Sequence, residues 1–97
     1  MATLFIRSQG KEERILLTAA KYGIGSQPNG KLTVTDNVPS ELILHAWLEV
    51  SAPDKVWIIP LEPIRLQPGN TVLQAQQKIP LADGAMFAIR DYELVVI

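Results

Sequence analysis

One histidine, His45, and no cysteine bound most of the chemistry open to this chain. Without cysteine there is no disulfide, no thiolate metal site and no thiol nucleophile. A lone histidine with no aspartate beside it, and no nucleophile elbow in the chain, offers no serine–histidine–acid triad. Glu12 and Glu13 fall in a strand-like run, where successive side chains point to opposite faces and cannot converge on one substrate. The stretch Gly23-Ile24-Gly25-Ser26-Gln27-Pro28-Asn29-Gly30-Lys31 imitates a phosphate-cradling loop, but no helix follows it to supply amide donors. Asp83-Gly84 is turn chemistry, not a metal loop. The residues point to recognition; no catalytic residue, metal or cofactor is expected.

Composition narrows the partners. Ten acidic side chains against nine basic ones leave a net charge of −1 over 97 residues. That balance gives no electrostatic pull toward nucleic acid or an anionic membrane. A hydrophobic share of 47% fills one core without staples, so residues 1–97 are read as a single domain. The apolar runs are far too short to span a bilayer, and no signal-peptide pattern opens the chain. A soluble, cytoplasmic domain is expected, with no direct membrane contact. The chain stops on the apolar run Leu94 to Ile97, the ending expected of a domain cut from a longer protein, such as the cytosolic part of a membrane protein.

The elements that must position these residues are strands. Leu4–Arg7 and Arg14–Thr18 read as a hairpin around Ser8-Gln9-Gly10-Lys11, with apolar runs that lack helical spacing. In Tyr22-Gly23-Ile24-Gly25, glycine within a strand marks a bulge or a close backbone approach. The loops Ser26–Gly30 and Asp36–Ser40 flank the alternating segment Leu32–Thr35. His45-Ala46-Trp47-Leu48-Glu49-Val50 has a period of two: Ala46, Leu48 and Val50 form the core face, and His45, Trp47 and Glu49 the outer one. Ala52-Pro53-Asp54-Lys55 is a hairpin turn leading into the return strand Val56–Ile59. Prolines 60, 63 and 68 limit Ile64-Arg65-Leu66 to an edge strand or bridge. Thr71–Gln76 alternates as a strand, with Gln74, Gln76 and Gln77 on a solvated face. Met86–Ile89 and Tyr92–Ile97 close the chain. The sum is an all-β sandwich of about ten to eleven short antiparallel strands.

In this order and at these separations, three pieces resemble a forkhead-associated (FHA) domain over residues 3 to 97: Tyr22-Gly23-Ile24-Gly25, then His45-Ala46-Trp47-Leu48-Glu49-Val50, then Pro80-Leu81-Ala82-Asp83-Gly84-Ala85-Met86-Phe87-Ala88-Ile89 with its closing hairpin. The resemblance implies an eleven-stranded sandwich of the FHA/SMAD-like type and a loop face that reads phosphothreonine peptides. It also implies that Gly25 and His45 serve as structural braces, His45 holding loops without touching phosphate.

The family's phosphate residues are replaced. Ser26 stands where the family's arginine follows its glycine, and a hydroxyl lacks the charged planar fork of guanidinium. Leu42 takes the place of the phosphate-binding serine, with Ser40 two residues early. Pro60-Leu61-Glu62-Pro63 replaces the family's Asn-Gly, and the chain's own Asn29-Gly30 lies in another loop. Charge-assisted hydrogen bonds of roughly 1.5–3 kcal/mol each hold a phosphothreonine, so losing arginine and serine together removes most of the grip. The expectation is therefore a protein–protein assembly module of FHA type that does not bind phosphothreonine, similar to the cytosolic domains of bacterial type III secretion inner-membrane ring proteins. Its partner would be another protein or a second copy. The alternative is a phosphothreonine reader using Ser26, Lys31 and Ser40. Candidate binding residues on the loop face are Ser26, Asn29, Lys31, Ser40, Trp47 and Arg65. One of Trp47 and Trp57 is expected in the core, and Trp47 on the surface as an interface anchor.

Overall fold

Short β-rich runs between turn residues can bury their apolar side chains only by stacking one sheet on another. The computed structural model describes residues 2–52, 54–67 and 69–97. In it the chain forms β1 (Thr3–Ser8), β2 (Lys11–Leu16), β3 (Lys21–Ser26), β4 (Leu32–Thr35), β5 (Ile43–Ala52), β6 (Lys55–Pro60), β7 (Ile64–Gln67), β8 (Thr71–Leu73), β9 (Ile79–Leu81), β10 (Met86–Ile89) and β11 (Tyr92–Val96). These eleven strands make two antiparallel sheets, in the orders β2-β1-β11-β10-β7-β8 and β4-β3-β5-β6-β9. Between them lies one core, to which Leu4, Ile24, Leu48, Ile58, Phe87 and Leu94 contribute fully buried side chains. The chain is an all-β sandwich. No helix among the described residues is long and apolar enough to cross a membrane.

Local chemistry sets the turns. Gln9 and Gly10 both have positive φ (51° and 76°), as a two-residue type I′ hairpin requires, and Ser8 pairs with Lys11 across them. Ala52 pairs with Lys55; Pro53, placed in that turn by sequence, lies outside the described residues. Tyr22 turns its ring into the core while its hydroxyl accepts the amide hydrogens of Thr18 and Ala19, each at 2.9 Å. Those two bonds hold the turn between β2 and β3, so β2 ends at Leu16 and does not run on to Thr18.

Three further expectations are corrected, and one strand that the sequence did not announce, β9, is added. Ile64–Gln67 is not an edge: β7 pairs with β10 on one side and β8 on the other. Pro60 ends β6 and Pro63 precedes β7, so neither removes a donor from the ladder of β7; Pro68 lies outside the described residues. The run Thr71–Gln76 is a strand only to Leu73. Beyond it Gln76 adopts φ 68° and donates its amide to the Pro60 carbonyl at 2.7 Å, which turns the chain. Ile79–Leu81 forms the edge strand β9, where Pro80 is tolerated. Neither tryptophan belongs to the core; both lie half-buried on the outer face of the second sheet.

Gly23 and Gly25 are placed by close approach. The connection between β4 and β5 crosses the outer face of β3. A Cβ on Gly23 would lie 2.6 Å from Val38 Cγ2 and 2.9 Å from Leu44 Cδ2. A Cβ on Gly25 would lie 2.6 Å from the Ile43 carbonyl oxygen and 2.7 Å from Leu42 Cγ. Side-chain ends can swing aside, whereas a carbonyl in a sheet cannot. Gly25→Ala is therefore expected to cost about 1–3 kcal/mol, the usual toll of overpacking, and Gly23→Ala less. Urea midpoints of the two variants check this, and a larger loss at Gly23 refutes the ordering.

Candidate functional site

β3 and β5 run side by side, but their register slips once. Ile24 pairs with Ala46 and Gly25 with Leu44, which leaves His45 as the extra residue of a β-bulge. A bulge breaks the two-residue alternation and re-aims one side chain. Here it turns both His45 and Ala46 inward, at 2% and 0% exposure. His45 therefore does not share the outer face of Trp47, as strict alternation had predicted.

Burial obliges the imidazole to find partners, and it finds one at each nitrogen. Nε2 lies 2.7 Å from Ser26 Oγ at the end of β3. Nδ1 lies 2.7 Å from Glu62 Oε1 in the connection between β6 and β7. With a carboxylate at Nδ1, the neutral ring carries its proton there, and Nε2 accepts the Ser26 hydroxyl hydrogen. Glu62 Oε2 in turn stands 4.0 Å from Arg90 Nη2 in the turn between β10 and β11. Arg90 adopts φ 56°, a left-handed conformation uncommon for a residue with a side chain. The backbone adds a tie, as the Leu61 amide donates to the His45 carbonyl at 2.9 Å.

Hydroxyl on Nε2 and carboxylate on Nδ1 is the connectivity of a serine–histidine–acid triad. The expectation that a lone histidine meets no such pair is corrected, because its partners come from separate elements. Chemistry would further require substrate access and donors for a developing oxyanion. His45 is sealed at 2% exposure, and five concavities among the described residues lie apart from it. They are lined around Ala2, Asp54 and Ile97, around the β1–β2 hairpin, and beside Leu17–Ala20, and none includes Ser26, His45 or Glu62. What this arrangement does is lock the loops to one another. Among the described residues no cluster of histidine and carboxylate side chains could hold a metal ion.

The remaining candidates are not gathered into one face. Asn29 is spent on its own turn, its Oδ1 accepting the Lys31 amide hydrogen at 3.0 Å while the Gly30 amide donates to the Gln27 carbonyl. Lys31 is exposed and lines a shallow depression with Lys11, Glu12, Glu13 and Tyr92. Ser40 is exposed in the connection before β5. Trp47 lies on the outer face of the second sheet, whereas Arg65 projects from β7 in the first sheet. The sandwich separates those two.

Sequence reasoning did not assemble a second cluster, on the outer face of β3, β5 and β6. Lys21 Nζ sits 4.4 Å from the ring centre of Trp47, and Lys55 and Lys78 sit 5.6 and 5.1 Å from that of Trp57. Glu49, between the two rings, accepts a 2.8 Å hydrogen bond from Lys78. That bond, with the charges of Lys78 and Lys21, holds the Glu49 carboxyl below its ordinary range. The signal was present in the alternations Trp47/Glu49 and Lys55/Trp57, which mark one face each; the register that joins them was not.

A scan against protein-family models finds no match for the chain, and a search of curated proteins finds none either.

Removing His45 leaves a cavity and two stranded polar partners, so His45→Ala is expected to cost about 2–4 kcal/mol. Glu62 is 40% exposed, and Glu62→Gln is expected to cost under about 1 kcal/mol. Thermal and urea unfolding of both variants measure this; equal losses would mean that the carboxylate, not the imidazole, holds the loops.

Proposed function

We propose that this chain is a protein–protein assembly module of forkhead-associated type in which phosphothreonine recognition has been given up. Eleven strands in two sheets agree with the architecture that the resemblance implies. The observation that carries the functional reading is the commitment of Ser26. Its hydroxyl, in the place of the family's phosphate-contacting arginine, is held by His45, and His45 is held by the Glu62 carboxylate. A phosphate arriving there meets a hydroxyl already bonded and a negative charge. Desolvating a phosphate beside a carboxylate without a compensating cation is unfavourable. Arg90 is directed toward Glu62 instead. The sealed imidazole favours bracing over base catalysis, so the module is read as non-enzymatic. It would work as the FHA-like domains of secretion rings or signalling scaffolds do, by packing against a partner or a second copy.

Calorimetric titration with a phosphothreonine peptide library tests this. No saturable heat is expected. Micromolar binding that disappears on dephosphorylation and on Ser40→Ala would establish the alternative reader built on Ser26, Lys31 and Ser40, and overturn the proposal.

A further inference from the structure

The outer face of the second sheet carries charge that the rest of the fold does not neutralise. Lys21, Lys55 and Lys78 stand there, with Glu49 the carboxylate bonded to Lys78. The chain as a whole is at −1, so this patch is positive while the remaining surface is net acidic. Lys78 is engaged by Glu49 at 2.8 Å; Lys21 and Lys55 make no ion pair among the described residues. Their ammonium groups rest over the faces of Trp47 and Trp57. Such cation–ring contacts pre-position a flexible side chain and reduce the rotamer entropy a partner must overcome. Trp57 is itself fixed, its Nε1 donating to Ser51 Oγ at 3.0 Å.

We infer that this lysine–tryptophan face docks an acidic peptide segment of a partner protein, and that the surface used in assembly is this flank of the sandwich rather than its loop end. Glu49 shows how such a ligand sits. It pairs across the sheet with Lys21 on β3 and with Trp57 on β6, and its carboxylate is held by the Lys78 ammonium group, which itself rests over the Trp57 ring. A carboxylate on the incoming segment takes the same position toward Lys21 or Lys55. Apolar side chains beside it lie against the ring edges that remain half-exposed. Nucleotide bases and sugar rings bind tryptophan through the ring face, and here lysine occupies the face. That favours an acidic peptide over single-stranded nucleic acid or a glycan.

The inference rests on the reading of the chain as a protein-binding module, and one experiment separates the two. The chain has two tryptophans, so its nuclear magnetic resonance spectrum holds one indole N–H signal for each. Isotope-labelled protein is titrated with a synthetic peptide alternating Glu and Leu, with the same peptide carrying Gln for Glu, with a single-stranded oligonucleotide and with a phosphothreonine peptide. The Glu peptide is expected to shift both indole signals and the Gln peptide neither, with affinity falling as salt is raised. Lys21→Glu and Lys55→Glu, both at exposed positions, are each expected to weaken binding by about five- to tenfold. Trp47→Ala is expected to remove binding, and the lysine variants carry the test if that variant does not fold. Equal shifts with the Gln peptide, no shifts with either peptide, or stronger shifts with the oligonucleotide overturn the inference without touching the emptied phosphate site. Shifts confined to Ser26 and Ser40 with the phosphothreonine peptide overturn the proposed function and leave the acidic-peptide result to stand on its own.

Discussion

A buried imidazole must satisfy both ring nitrogens, and that demand organises one whole end of this sandwich. His45 reaches Ser26 on one neighbour and Glu62 on the other, both at 2.7 Å. The backbone repeats the same connection, since Leu61 donates to the His45 carbonyl. One residue further, Ala46 pairs with Pro60, and the Pro60 carbonyl accepts the Gln76 amide. Two separate stretches of chain, the end of β3 and residues 60–62, thus meet on two residues of β5, and Gln76 ties a third to Pro60. Prolines at 60 and 63 break the chain into the connection that carries Glu62, so a sequence feature hostile to strands is what delivers the carboxylate.

The bulge that buries His45 also decides what the outer face carries. In a strand, a slip of one residue moves every side chain to the other face. Had β5 run without the extra residue, burying His45 would have buried Trp47 and Glu49 and exposed Ala46 and Leu48. Absorbing the shift between His45 and Ala46 keeps Ala46 and Leu48 at 0% exposure and leaves Trp47 and Glu49 beside Lys21 and Trp57. The glycines of β3 make this possible. Gly25 lies against the Ile43 carbonyl at a distance no side chain would permit, which lets the start of β5 close onto β3.

The fold class was legible because its signals are local: alternation in β5, Gln9-Gly10 and Asp83-Gly84 as turns, and apolar runs that lack helical spacing. Glycine within β3 was read as a bulge or a close approach: the close approach is at Gly23 and Gly25, and the bulge lies opposite them in β5. The rest was hidden because it depends on register. Alternation alone cannot show an extra residue at His45, so the imidazole was assigned to the wrong face. The three prolines were weighed as strand breakers within Ile64–Leu66, when Pro60 and Pro63 flank that strand. Glu62 was noticed only as part of the segment that replaces the family's Asn-Gly, because nothing near it in sequence pointed to a histidine. Trp47 was placed on the outer face, where it lies half-buried, while its lysine neighbours became visible only once β3, β5 and β6 were laid side by side.

These two regions differ in how much of their bonding capacity is already used. At the loop end, Ser26, His45 and Glu62 are bonded to one another, Asn29 is bonded within its own turn, and Arg90 is drawn toward Glu62. A ligand there must break internal bonds before making its own, and the exchange returns little. On the flank, Lys21 and Lys55 rest over ring faces, contacts worth about 0.5–1 kcal/mol at exposed sites, and make no ion pair among the described residues, so their ammonium hydrogens remain for a partner. Recognition energy is available where donors are ordered yet unpaired. By that criterion the resemblance directs attention to the loops, while the physical chemistry of this chain favours the broad face beside them.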